Sequence, residues 1–557
     1  MLASETIAQY LVDAGAEVHF GVVGEGNVAI VSSLQERGVA HHYSRREDAA
    51  VSMADGWFRR TGTTGFCSVT QGPGFTNTIT SLIEAVKHRS QLVMLTGDTP
   101  ANDIDNAQRV RTESLVRDAG AGWCGLRGVE YLADDLAAAI RKSAVERRPY
   151  VVGVPTELLY LSTDALYDHD VLPEALAKPP LAAVQRTAPD ITALTRVVDL
   201  LANSKRPMIL AGRGAVQSGA RTALEKLADL LHAPLATTLL ARGLLAGSQW
   251  NIGVSGSFST REGARIVQQA DLVLAFGSSL NTWTTMHGTL IERARIVQFD
   301  IDPHAFGDQI DVAVIGDVMA SASSLVEECM TRGVGERQWA VGSAVFGLSG
   351  EPQPDARAGL PRPIDVAQVL QPLLPSDAVL AFDSGHCVMD AVTRWEVPDP
   401  SQFIFPIHSG SIGLGLGTAM GACLADTSRW TIFTTGDCGL MMSLQELDTV
   451  RRLKLPLIIL VLDDNAAGAE IHYCRARGLP TEIAYTESPD FSALAAAFGF
   501  DAHTVQSANE LATVFTSVVE GPRRPVMITT KIDSDEMNDW YRQLSAGVEQ
   551  VRGWGGA

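Results

Sequence analysis

Short runs of Val, Ile and Leu that stop at Gly, Asp or Pro, separated by segments of helical length, leave this chain few folds to choose from. Val18–Val23, Phe66–Thr70, Leu92–Gly97 and Tyr150–Val154 form a first group of such runs. Pro207–Ala211, Asp271–Gly277 and Ile296–Ile301 form a second, and Ala378–Asp383, Thr431–Gly436, Pro456–Leu462 and Pro525–Thr530 a third. A run that is apolar on both faces suits a buried parallel strand, and a following helix returns the chain to the same sheet edge. The expected fold class is α/β, with three doubly wound, mostly parallel-sheet domains. Two Pro- and Gly-rich stretches, Pro173–Pro189 and Gly347–Pro363, read as linkers. They predict domains at 1–170, 190–345 and 362–557. Ligands of open α/β sheets collect at the carboxyl ends of the strands.

Charge narrows the range of partners. The 557 residues carry a formal net charge of -20, and 46% are hydrophobic against 19% charged. Such a field repels nucleic acid and anionic lipid, so neither is expected as a partner. No apolar run is long enough to span a membrane. The first residues, MLASETIAQYLVDAGAE, lack the basic start and apolar core of a signal peptide. Seven scattered cysteines do not form a disulfide framework, and the expected location is cytoplasmic.

The segment Thr431–Glu470 is the most informative. A strand runs into Gly436-Asp437-Cys438-Gly439, a helix follows to about Arg452, and a second strand ends in Asp463-Asp464-Asn465. Asp437 and Asp464 therefore stand at the carboxyl ends of two strands joined by one crossover. Hard carboxylate oxygens there suit Mg²⁺ or Ca²⁺, and small residues beside Asp437 let a phosphate approach a helix N-terminus. Ordinary strand-end turn chemistry uses the same residue types.

This segment resembles the thiamine diphosphate signature, which begins Gly-Asp-Gly and ends Asn-Asn. The resemblance implies that Asp437, Asp464 and the carbonyl of Ala466 hold Mg²⁺. Gly436, Cys438, Gly439 and Gly468 would line the cofactor. Cys438 departs from the third Gly and Asp464 from the usual Asn. Asn465 is the literal Asn in the string, but the register to Gly468 favours Asp464 as ligand.

Two other stretches resemble the same family. SRREDAAVSMADGWFRRTG matches its first helix and puts Glu47 on its near-universal Glu. An acidic residue opening a helix is also an ordinary first-turn charge. The resemblance implies that Glu47 exchanges a proton with N1′ of the aminopyrimidine and promotes loss of the C2 proton. VTQGPGFTNTIT resembles the acetolactate synthase and pyruvate oxidase pattern, with Gly72-Pro73-Gly74 as a tight turn and Asn77 beyond it. GSIGLGLGTAMGA, from Gly410 to Ala422, resembles the stretch that bends the cofactor. There Gly410 would offer its carbonyl to the 4′-amino group and Ile412 would wedge between the two rings.

The resemblance orders the domains as pyrimidine-binding, central and diphosphate-binding. It implies a homodimer at minimum, with a homotetramer usual, and an active site in which Glu47 comes from one subunit and Asp437 from the other. Gly212 and Gly214 in the central part could cradle a dinucleotide. The text after Gly277, SSLNTWTT, lacks the arginine-rich pattern of the FAD-binding relatives, so FAD is not expected.

Three residues bear on the reaction. Glu25 aligns with a conserved Asp of pyruvate decarboxylases. Glu470 lies six residues beyond Asp464, the offset of their active-site Glu. Ala469-Glu470-Ile471-His472 breaks the acetolactate synthase pattern where its second substrate sits. These features favour decarboxylation of a 2-oxo acid to an aldehyde, with Glu470 or Glu25 as the acid. The alternatives are an acetolactate synthase-like or acyloin-forming carboligase, which takes a second carbonyl compound such as an aldehyde, and a degenerate structural homologue without activity. His386 and His408 are candidate pocket histidines or satisfied loop histidines, and His41-His42 read as structural.

Overall fold

The computed structural model describes residues 1–164, 186–336, 339, 360–533 and 535. The expected domain limits at 170, 345 and 557, and most of both linker stretches, lie outside them. The first sheet contains β1 (Val18–Gly21), β2 (Ala40–Tyr43), β3 (Gly65–Val69), β4 (Leu92–Asp98), β5 (Gly122–Gly125) and β6 (Tyr150–Pro155), in the order β2-β1-β3-β4-β6-β5. The second contains β7 (Pro207–Ala211), β8 (Leu235–Thr237), β9 (Asn251–Val254), β10 (Leu272–Phe276), β11 (Arg295–Asp300) and β12 (Val312–Ile315), ordered β12-β11-β10-β7-β8-β9. The third contains β13 (Val379–Phe382), β14 (Phe403–Ile404), β15 (Thr431–Gly436), β16 (Leu457–Asp463), β17 (Asp501–Val505) and β18 (Val526–Lys531), ordered β14-β13-β15-β16-β18-β17.

The long strands pair in parallel in all three sheets, and the fold is α/β as expected. Each apolar run of the sequence is a strand, from β3 and β10 to the fully buried β16. The strands without such a run are mostly outer ones. β2, β5, β12 and β17 lie at sheet edges; β5, β12 and β17 mix buried with half-buried or exposed residues, and β2 has only half-buried and exposed ones. An edge strand is covered on fewer sides, so its sequence carries less apolar signal.

Contacts divide the chain into two compact units. The first and third sheets lie in one and the middle sheet in the other. Within the first unit, a helix at Glu47–Thr61 packs on a helix at Gly415–Leu424. The former has acids in its first turn, arginines in its last and a left-handed Gly62 beyond it, which complement the helix dipole and close its end. The two backbones touch. A Cβ added at Gly56 would collide with the Thr418 carbonyl, and one at Gly421 with the Met53 carbonyl. The surrounding core joins Phe20, Val51 and Met94 of the N-terminal half to Leu416, Met420 and Phe433 of the C-terminal half.

Gly421→Ala should therefore force these helices apart. We expect a loss of roughly 1–3 kcal/mol, typical of overpacking, read as a lower midpoint in urea unfolding. An unchanged midpoint would refute the backbone contact.

Candidate active site

The site begins at the carboxyl ends of β15 and β16. β15 stops at Gly436, where a Cβ would press on Cys387 Sγ, and Asp437 opens the helix Asp437–Ser443. The Asp437 carboxylate is buried and accepts from Cys438 N at 2.8 Å, Ala466 N at 3.1 Å and Ser488 Oγ at 2.8 Å. Burial nevertheless raises its pKa, and the charge of Asp463 adds to the effect. The Cys438 thiol donates to the Ala466 carbonyl at 3.5 Å. Gly439 has no room for a side chain, because a Cβ would strike the Asp383 carboxylate.

β16 ends at Asp463, which pairs with Lys531 at 2.5 Å. Asp464 follows, with its side chain 3% exposed. Its Oδ2 has no hydrogen-bond partner among the described residues. Burial and then the charge of Asp437 push its carboxyl up to about 8. His386 Nε2 stands 3.8 Å away, but burial and the neighbouring His472 push that imidazole down to about 3. It is neutral at pH 7 and offers Asp464 no charge. Two crowded carboxylates, one with an orphaned oxygen, are the arrangement that a divalent cation satisfies.

Asn465 has other work. Its backbone is left-handed, at φ 54. Its Oδ1 accepts from Lys531 Nζ at 3.1 Å and Ser488 N at 3.3 Å, and its carbonyl accepts from Thr486 N at 2.7 Å. Asp464, not Asn465, is the side chain left available beside Asp437. Gly468 opens the next helix against this pair, and a Cβ there would collide with Asp464 and His386. Glu470 is exposed in the first turn of that helix.

The candidate residues of the N-terminal part follow β1, β2 and β3. Glu47 is half-buried and accepts from Asn77 Nδ2 at 3.0 Å. Its other oxygen lies over Gly74, 3.7 Å from where a Cβ would be. Gly72, at φ +63, turns the chain tightly enough to bring Gly74 there. Glu25 is exposed between Gly24 and Gly26, which pack on Thr70 and Gln71. Among the described residues no hydrogen bond links Glu47 or Glu25 to Asp437, Asp464 or Glu470.

The Gly410 loop is tied to both halves. Gly410 is exposed at φ 69, and Ile412 is half-buried. Asp383, fully buried, accepts from Gly413 N at 2.9 Å, Ser384 N at 2.9 Å and Thr435 Oγ1 at 3.2 Å, yet burial pushes its carboxyl up to about 6. On the other side Glu84 accepts from Ser409 N at 2.7 Å, His408 Nδ1 at 3.0 Å and Arg59 at 2.9 Å. Burial opposes its ionisation, but His408, Arg59 and Ser409 outweigh that and hold it well below the usual range. His408 is thus a clasped structural residue. His386 is the histidine beside the acids. His41 is structural, bonded through Nδ1 to His19 Nδ1 at 2.9 Å.

Asp383, Glu84, Ser488 and Lys531 escaped sequence reasoning. Asp383 sits in the string that supplied His386, but nothing local says that its partners are 30 and 52 residues away. In the middle sheet, Gly212 N bonds Phe276 O at 2.8 Å and Gly214 N bonds Gly277 O at 3.0 Å. A Cβ on either glycine would strike Gly277. Packing of two loops thus accounts for both glycines without a nucleotide.

Among the described residues no helix is long and apolar enough to cross a membrane. Comparison with known proteins covers nearly the whole chain. Residues 1–118 match the thiamine pyrophosphate enzyme N-terminal TPP binding domain, 194–325 the central domain and 383–530 the C-terminal TPP binding domain. The large subunit of acetolactate synthase isozyme 2 of Escherichia coli is 28% identical, over 96% of this chain and 96% of its own. A probable acetolactate synthase large subunit of Methanococcus aeolicus is 25% identical over 92% of this chain and 89% of its own. A probable 2-ketoarginine decarboxylase of Pseudomonas aeruginosa is 26% identical over 92% and 90%. With all three family domains matched in order, and with paired strand-end acids in the last of them, the chain belongs to the thiamine diphosphate-dependent enzymes.

Proposed function

We propose that the protein is a Mg²⁺-dependent carboligase of the acetolactate synthase type, which decarboxylates a 2-oxo acid and joins its carbonyl carbon to a second carbonyl compound. The observation that carries this reading is the end-to-end similarity to acetolactate synthases, at 24–28% identity. It outweighs the expectation of aldehyde release, which rested on the positions of Glu25 and Glu470. Glu470, in the first turn of its helix, and the 2-ketoarginine decarboxylase relative keep aldehyde release as a second reading.

Bound thiamine diphosphate supplies an electron sink for a carbanion beside a carbonyl. The residues present fit it. Asp437, Asp464 and the Ala466 carbonyl would hold Mg²⁺ and, through it, the diphosphate. The amide of Gly439, at a helix start, would meet a phosphate oxygen, with Cys438 beside it. Gly468 lets the Asp464 carboxylate lie flat against backbone. Gly410 presents a carbonyl on a left-handed turn, and Ile412 an apolar wedge beside it. Glu47, its carboxylate held by Asn77, would exchange a proton at N1′ of the aminopyrimidine. We assign a homodimer as the minimal unit and a homotetramer as the working form, with Glu47 of one protomer serving the metal site of its partner. The substrate is a small 2-oxo acid.

Three outcomes are expected. Chelation of divalent metal, or Asp437→Ala or Asp464→Ala, should abolish thiamine diphosphate binding in calorimetry. Asp464→Asn should keep binding, and Asn465→Ala should cost stability more than metal affinity. Undiminished affinity without metal would defeat the metal bridge. Glu47→Gln should bind cofactor normally yet slow C2 proton exchange by about 10²–10⁴-fold, followed by quenched-flow NMR. Wild-type exchange would remove Glu47 from the role. The decisive experiment incubates the enzyme with a panel of 2-oxo acids, alone and with aldehydes, and identifies products by NMR and chiral chromatography. Coupled products support the carboligase. Free aldehyde throughout would establish the decarboxylase instead.

A further inference from the structure

A short segment that none of the motifs includes lies along the metal-site residues. Ala484–Ser488 runs beside the turn that follows β16. Ala467 N donates to Ala484 O at 2.8 Å, Ala466 pairs with Tyr485 in an isolated antiparallel bridge, and Thr486 N donates to Asn465 O at 2.7 Å. Ser488 ends the segment. Its amide donates to Asn465 Oδ1 at 3.3 Å and its hydroxyl to Asp437 Oδ2 at 2.8 Å. Asn465 is itself held from below by Lys531 at 3.1 Å. One strap therefore touches both the Asp437 carboxylate and the backbone of Ala466, which come from different strand ends.

The Asp437 carboxylate has two oxygens and three donors. Oδ1 takes the Cys438 amide, and Oδ2 takes the Ala466 amide and the Ser488 hydroxyl. A carboxylate is free to rotate about its Cβ–Cγ bond unless something stops it. Backbone amides on both oxygens limit that rotation, and among the described residues Ser488 Oγ is the one side-chain group that reaches Oδ2. A hydroxyl is neutral, so it orients the carboxylate without neutralising it, and the full negative charge stays available to a cation.

We propose that Ser488 is a positioning residue for the divalent-metal site: its hydroxyl sets the orientation of Asp437 and so raises the affinity for Mg²⁺. The proposal rests on the reading of Asp437 as a metal ligand. It predicts a role in binding alone, since Ser488 needs no contact with substrate. Hydrogen-bond partners of metal ligands are typically worth about 10–100-fold in metal affinity.

The test uses the full-length protein as purified and stripped of metal. Mg²⁺ is titrated by calorimetry in the presence of excess thiamine diphosphate, for wild type, Ser488→Ala, Ser488→Thr and Asp437→Ala. Thermal unfolding of each metal-free protein is measured alongside. Ser488→Ala should bind Mg²⁺ about 10–100-fold more weakly, with a metal-free melting temperature close to wild type. Ser488→Thr keeps the hydroxyl and should recover most of the affinity. Wild-type affinity in Ser488→Ala would overturn the proposal. So would a loss that Thr fails to restore, because the hydroxyl would then not be the cause. Wild-type affinity in Asp437→Ala would instead sink the metal-site reading itself.

Discussion

The contact between two helix backbones underlies the rest of this structure. The Glu47–Thr61 helix meets the Gly415–Leu424 helix with no side chain between Gly56 and the Thr418 carbonyl, or between Gly421 and the Met53 carbonyl. Such close approach is open only to glycine. It brings one core under both the first and third sheets, and it holds the helix that carries Glu47 beside the loop that carries Gly410 and Ile412. Carboxylates then lock the arrangement from each direction. Glu84, from the N-terminal half, grips Ser409 and His408 just before Gly410. Glu446, from the C-terminal half, accepts from Arg45 N at 3.0 Å and Arg46 N at 2.9 Å, just before Glu47. Each half thus orders a segment of the other.

The third sheet shows how differently buried acids can be satisfied. Burying a carboxylate is costly unless donors or cations meet it. Asp463 has Lys531. Asp383 has a ring of amides and the Thr435 hydroxyl, and acts as the internal anchor of the Gly410 loop. Asp437 has three donors but no cation. Asp464 is left with an oxygen that no described group meets, beside a neutral His386. Burial raises the carboxyls of Asp437 and Asp464, and the charge of a neighbouring aspartate, Asp463 and Asp437 respectively, adds to it.

Much of the site was legible because its residues are close in sequence. Gly436, Asp437, Asp464 and Gly468 lie at two strand ends joined by one crossover, so local pattern already places them together. The register to Gly468 already favoured Asp464 over Asn465, and the fold adds what Asn465 does instead. Both are polar residues of the same turn, and only the bonds from Lys531, Ser488 and Thr486 show that Asn465 is committed elsewhere. The edge strands β2, β5, β12 and β17 were not legible, because partial exposure dilutes their apolar pattern. For the glycines of the middle sheet the sequence left a nucleotide loop open as one reading. Gly212 and Gly214 have the spacing of a nucleotide loop, while their neighbour is the backbone of Gly277.

By itself the sequence determined the α/β class, the buried strands and the acids at their carboxyl ends, because strand periodicity and strand-end chemistry are local properties of the chain. Tertiary structure alone decided which acid meets which donor. The hydrogen bonds from Ser409 to Glu84 and from Arg46 to Glu446 span 325 and 400 residues. Ser488 reaches Asp437 across 51. No local pattern encodes a pairing at such separation, since the partner's identity depends on how helices and sheets pack. The raised carboxyl of Asp464 and the lowered imidazole of His386 belong to the same class, because burial and neighbouring charge exist only once the chain has folded.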